Sequence, residues 1–132
     1  MPRLPFLTFC AVAAASIAGC GTSADRGQAR TAAQTLYTAA REHRGDVACA
    51  QMSPSLRAAL VDDEQARCAR AVMRLHLTGR TVDVVRVYAD AAEVRFDHGD
   101  TVFLGDTSEG WRVEALGCTP QGPGPYDCEE QA

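Results

Sequence analysis

The sequence predicts an α+β domain in which N-terminal helices pack on a four-stranded antiparallel meander sheet. Three observations carry this. Between residues 28 and 76, apolar residues recur at three- and four-residue steps, the spacing of a helix face. Between residues 81 and 116, short valine-rich runs alternate apolar with polar residues and are separated by turn residues. Four cysteines, at positions 49, 68, 118 and 128, are an even number that suits a stapled domain in an oxidising compartment.

The order of elements begins with an address. Arg3 supplies a short positive region, and Leu4 to Ile17 is mostly apolar and carries no charge. That run is too short to span a bilayer comfortably and has the length of a signal-peptide core. It leads into Ser16-Ile17-Ala18-Gly19-Cys20, an aliphatic residue, two small residues and a cysteine. The stretch resembles the lipobox of a bacterial lipoprotein. The resemblance implies that residues 1–19 are a signal peptide that is removed, and that the Cys20 thiol receives a diacylglycerol. Two or three acyl chains, palmitate among them, would then hold the protein on the extracytoplasmic face of the cell membrane. Each buried methylene contributes about 0.8 kcal/mol, so several chains hold far more firmly than one. The alternatives are an ordinary secretory signal cut near Ala18 and an uncleaved anchor. Cys10 falls within the apolar core and would leave with it.

The remaining 113 residues suit one domain with a modest core. Residues 20–27 read as a lipidated tether and residues 28–132 as a single α+β domain. This part of the chain holds 12 arginines, no lysine and 17 acidic residues, a formal charge of about −5. Such a domain has no electrostatic reason to bind nucleic acid. Cys49, Cys68, Cys118 and Cys128 allow three disulfide connectivities. Nearest-neighbour pairing, Cys49–Cys68 and Cys118–Cys128, is the expectation. No Cys-x-x-Cys pair and no zinc-like Cys–His spacing points to a metal instead.

Gln28 to His43 reads as the first helix, with Ala29, Ala32, Ala33, Leu36, Tyr37 and Ala40 on its apolar face. Arg41, His43 and Arg44 at its end suit the helix dipole better than an anion site. Asp46 is placed to cap a short helix over Val47 to Met52. Ser53 followed by Pro54 starts another, with Leu56, Ala59 and Leu60 facing inward. Asp62-Asp63-Glu64 opens a helix running to His76, whose stripe is Cys68, Ala71, Val72 and Leu75. The acidic triplet lacks the spacing of a calcium loop. Strands follow over Thr81 to Ala89, Ala92 to Asp97, Thr101 to Asp106 and Trp111 to Leu116, with the first tight connection at Ala91-Ala92. On the last strand Trp111, Val113 and Ala115 share one face. Residues 117 to 130 read as a Pro- and Gly-restricted loop that folds back beside that strand, packing Tyr126.

The chemistry on offer is thin. His98 lies in Asp97-His98-Gly99-Asp100, which superficially offers metal ligands or an acid–base pair, but adjacent residues of a turn do not converge on one point. His76 falls at a helix end. No nucleophile elbow and no phosphate-cradling glycine loop is present. No catalytic residue, metal or cofactor is therefore expected. Tyr37, Phe96, Phe103 and Trp111 are candidates to line a hydrophobic cavity, with core filling as the plainer role.

Helices followed by a curved antiparallel sheet resemble the cystatin-like and nuclear-transport-factor-like α+β cones. A wider resemblance is to a group of small actinobacterial lipoproteins. It is carried by the lipobox at Cys20, Gly45-Asp46 with Cys49, Thr101-Val102-Phe103-Leu104, Gly110-Trp111-Arg112-Val113, and Gly117-Cys118 with Pro125-Tyr126-Asp127-Cys128. The resemblance implies a membrane-tethered, cone-like domain and supplies no catalytic residue. The expected function is a non-enzymatic binding or interaction module of the cell envelope with a protein partner. The alternative is a carrier of a small hydrophobic ligand in a cone-shaped cavity.

Overall fold

The computed structural model describes residues 21–61 and 67–132. Within them, helices α1 (Ser23–Arg41), α2 (Gly45–Ala50), α3 (Pro54–Val61) and α4 (Cys68–Val72) precede strands β1 (Val82–Tyr88), β2 (Ala91–Phe96), β3 (Thr101–Thr107), β4 (Gly110–Cys118) and β5 (Glu130–Gln131). The strands form one antiparallel sheet in the order β1-β2-β3-β4-β5. The α+β class is the expected one. The sheet, however, has five strands and not four.

Helix α1 starts five residues earlier than its apolar stripe suggests. The Thr22 hydroxyl accepts the Asp25 N–H at 3.1 Å, and the Asp25 carboxylate accepts the Thr22 N–H at 2.7 Å. Such a reciprocal cap stabilises by about 1 kcal/mol, enough to offset the similar cost of Gly27 inside a helix. The Thr22 hydroxyl also donates to the Asp25 carboxylate at 2.7 Å, and this bond, with that of the Thr22 N–H, holds the Asp25 carboxyl below its ordinary range. Residues 23–27, read above as tether, are thus the opening of the helix. The expected stripe is otherwise in place, with Ala29, Ala33 and Leu36 fully buried.

Ser53 caps α3 as expected, its hydroxyl accepting the Leu56 N–H at 3.2 Å. Asp46 does not cap α2: that helix begins at Gly45 behind Arg44, and Asp46 lies in its first turn. The Asp62-Asp63-Glu64 corner lies outside the described residues. The described part of the following helix ends at Val72, so His76 belongs to the connector to β1. Disulfides join Cys49 to Cys68 and Cys118 to Cys128, stapling α2 to α4 and the end of β4 to the C-terminal loop.

Three features of the sheet escape the alternation pattern. The β1–β2 connection is Ala89-Asp90 and not Ala91-Ala92, because Tyr88 pairs with Ala91; Ala89 takes the turn at φ 52°. Strand β4 is bulged twice against β3. It advances from Val113 to Ala115 while β3 moves from Leu104 to Phe103, and from Ala115 to Cys118 while β3 moves from Phe103 to Thr101. The first bulge reverses the alternation, as an extra residue must. Trp111 and Val113 stay in the core with Leu116, while Ala115 turns to the outer face beside Phe103. Lastly, the C-terminal residues form β5 along the free side of β4, and Thr119 pairs with Asp127 as the loop turns back. Gln51 to Ser53 covers the other half of that side through Val113 N–H to Gln51 C=O and Ser53 N–H to Val113 C=O bonds, both 2.8 Å.

Candidate functional site

The four candidate aromatics do not surround one cavity. Tyr37 from α1 stacks on Phe96 from β2, with ring centroids 4.2 Å apart, and both are fully buried between helices and sheet. Trp111 is buried at the start of β4. Phe103 lies on the outer face of the sheet, where Tyr126 meets it edge-on at 5.1 Å. Phe103 faces outward between the inward-facing Val102 and Leu104 of β3, and the C-terminal loop brings Tyr126 to it outside the helix–sheet core.

Two of the open grooves among the described residues involve these aromatics. One, of about 570 Å³, lies between the first turns of α1 and the β3–β4 turn, with Ala24, Gly27, Gln28, Glu109 and Trp111 among its walls. The other, of about 490 Å³, lies on the outer sheet face and is lined by Phe103, Ala115, Pro125, Tyr126 and Cys128. The second combines a half-exposed aromatic with a backbone that the Cys118–Cys128 bridge holds. Tyr126 packing was legible from the loop's prolines and cysteines. The groove itself was not, because it needs the bulge in β4.

Asp100 and His98 part company. His98 is exposed on the β2–β3 turn, its nearest anionic contact being Asp97 at 3.8 Å. Asp100 is buried, and its carboxylate accepts the Thr78 N–H at 2.7 Å, the Thr78 hydroxyl at 3.0 Å and the Gly79 N–H at 3.2 Å. It therefore fastens the helix-to-strand crossover to the β2–β3 hairpin. Nearby, the Tyr37 hydroxyl accepts the Gly117 N–H at 3.1 Å. Gly117 has φ +62°, and an added Cβ there would meet Glu129 Cβ at 2.8 Å, so the second β4 bulge needs glycine. Burial pushes the Tyr37 phenol well above its ordinary pKa, and the Asp100 charge beside it acts in the same direction, against the pull of the Gly117 bond.

Two of the basic residues at the end of α1 are already engaged. Arg44 is bridged to Glu42 at 2.6 Å, and Arg41 donates to the Gly79 carbonyl at 2.9 Å, which favours the structural reading over an anion site. Among the described residues no cluster of three or more His, Cys, Asp or Glu is arranged to hold a metal ion. Comparison with protein-family models, curated proteins and solved structures finds no match to this chain.

Two outcomes follow from the Asp100–Tyr37 pair. Asp100→Ala strands the buried Gly79 N–H and the part-buried Thr78 N–H and should cost about 2 kcal/mol in urea denaturation, whereas His98→Ala should stay within about 0.5 kcal/mol. An Asp100→Ala protein of unchanged stability would contradict the structural role. The raised Tyr37 pKa means the folded state keeps a proton that the unfolded state releases near pH 10. Its contribution is complete below about pH 10 and is lost as pH rises beyond it. Denaturation midpoints should therefore fall above about pH 10, and fall less steeply in Tyr37→Phe; parallel slopes would contradict this.

Proposed function

We propose that this chain is a lipid-anchored, non-enzymatic binding or interaction module of the cell envelope, held at the extracytoplasmic face of the membrane by a diacylglycerol on Cys20. The observation that carries the reading is the Ser16-to-Cys20 sequence directly before a domain whose first helix is capped at Thr22. Cys20 itself lies outside the described residues. Two disulfides support an oxidising compartment. No helix among the described residues is long and apolar enough to cross a membrane. The likeness to small actinobacterial lipoproteins rests on the residues alone, and the two bulges in β4, a feature that bends strands, support the cone-like reading.

The outer groove at Phe103 and Tyr126 is the surface we assign to a protein partner. It is apolar, half-exposed and stiffened by a disulfide, so a partner would order little of it on binding. The packing favours this over a carrier with a ligand between sheet and helices, since the stacked Tyr37 and Phe96 occupy that space.

A photo-crosslinking residue placed at Tyr126 should trap a discrete envelope protein in intact cells. The same residue placed at exposed Arg80 should not. Absence of any adduct at Tyr126, or an identical adduct at both positions, would sink the reading.

A further inference from the structure

The direction in which α1 crosses the sheet fixes which end of the domain carries Cys20. At the far end of α1, Arg41 reaches the Gly79 carbonyl, and Gln34 bonds both the Arg80 carbonyl and the Val82 N–H. Arg30 donates to the Val82 carbonyl at 3.2 Å. The helix thus runs antiparallel to β1, from the strand's end toward its beginning. Gly21 arrives against Val87, where any Cβ at position 21 would overlap the valine side chain. Arg26 donates to the Gly21 carbonyl at 3.3 Å and helps hold it there. Cys20 is bonded to Gly21, and adjacent Cα atoms are about 3.8 Å apart, so a group attached to Cys20 starts one residue from a glycine seated at the Val87 end of β1. The chain leaves no long tether between anchor and fold.

Tyr88 follows Val87 directly. It is the most exposed large hydrophobic residue among those described, at 57% of its full accessibility. It stands beside Ala89-Asp90, a two-residue turn that projects from the sheet. Tyrosine has an apolar body and a polar tip, and such side chains favour the headgroup level of a bilayer. Asp90, Asp106 and Glu109 lie exposed at the same end of the sheet, so attraction to anionic lipid does not drive the contact.

We infer that the β1–β2 turn is the membrane-facing pole of the domain, with Tyr88 entering the headgroup layer of a phospholipid bilayer beside the acylated Cys20. This rests on the anchor proposed above. It sets the β2–β3 turn, with His98, at the far pole, since that turn connects the opposite ends of neighbouring antiparallel strands.

The test uses the full protein extracted from native membranes and reconstituted into phosphatidylcholine vesicles carrying brominated acyl chains. Tyr88→Trp and His98→Trp are compared with the parent, whose Trp111 is a common, buried background. The indole introduced by Tyr88→Trp should shift to the blue and lose most of its added emission. The indole introduced by His98→Trp should keep its emission. Flotation of the vesicles separates the two possible failures. Protein that floats with an unquenched Tyr88→Trp, or with equal quenching at both positions, overturns the membrane-facing pole while leaving the anchor standing. Protein that does not float overturns the anchor and, with it, this surface.

Discussion

Asp100 is a buried carboxylate held by hydrogen bonds rather than by a cation, and the fold closes around it. Burying such a charge costs several kcal/mol unless its oxygens are fully engaged. The engagement comes from Thr78 and Gly79, where the chain leaves the helical layer and enters the sheet. Tyr37 stands beside it, stacked on Phe96 and accepting the N–H of Gly117 from the bulged end of β4. The first helix, the crossover, the β2–β3 hairpin and the last long strand are thereby tied at one locus. The same locus accounts for the weak chemistry of the Asp97–Asp100 turn, since its best-placed carboxylate is already spent on structure.

The two edges of the sheet are treated differently. The β4 side is covered by Gln51 to Ser53 and by β5, so its backbone groups are paired along most of its length. On the β1 side, α1 side chains bond the strand's backbone near Val82, through Arg30 and Gln34. An uncovered strand invites pairing with another chain. Here Arg86 and the Arg95–Asp83 pair bring charge to that edge, a common means of discouraging such pairing.

Much of this was legible in the sequence, and the reasons divide cleanly. The stripe of Ala29, Ala33 and Leu36, the Ser53-Pro54 helix start and both cysteine pairings follow from local spacing, and local spacing survives folding. The early start of α1 was hidden because Gly27 argues against a helix, while the Thr22–Asp25 cap is a subtler signal. Ala115 was misplaced because alternation assumes an unbroken strand, and the bulge that breaks it depends on pairing with β3 and on Gly117. β5 escaped notice because Glu130-Gln131 has no strand propensity of its own; the Cys118–Cys128 bridge and the turn at Thr119–Asp127 carry it to β4. Tyr37, Phe96 and Trp111 are core residues, the plainer of the two expected roles; Trp111 also walls the groove beside α1, and Phe103 belongs to the outer face.

The intact mass of the protein extracted from native membranes, before and after reduction, tests the central claim most directly. A mass of residues 20–132 plus a diacylglycerol, rising by about four hydrogens on reduction, is the predicted result for a stapled, lipid-anchored domain. A mass of the bare chain, or one that retains residues 1–19, would contradict it and make a freely secreted or differently anchored domain the better description.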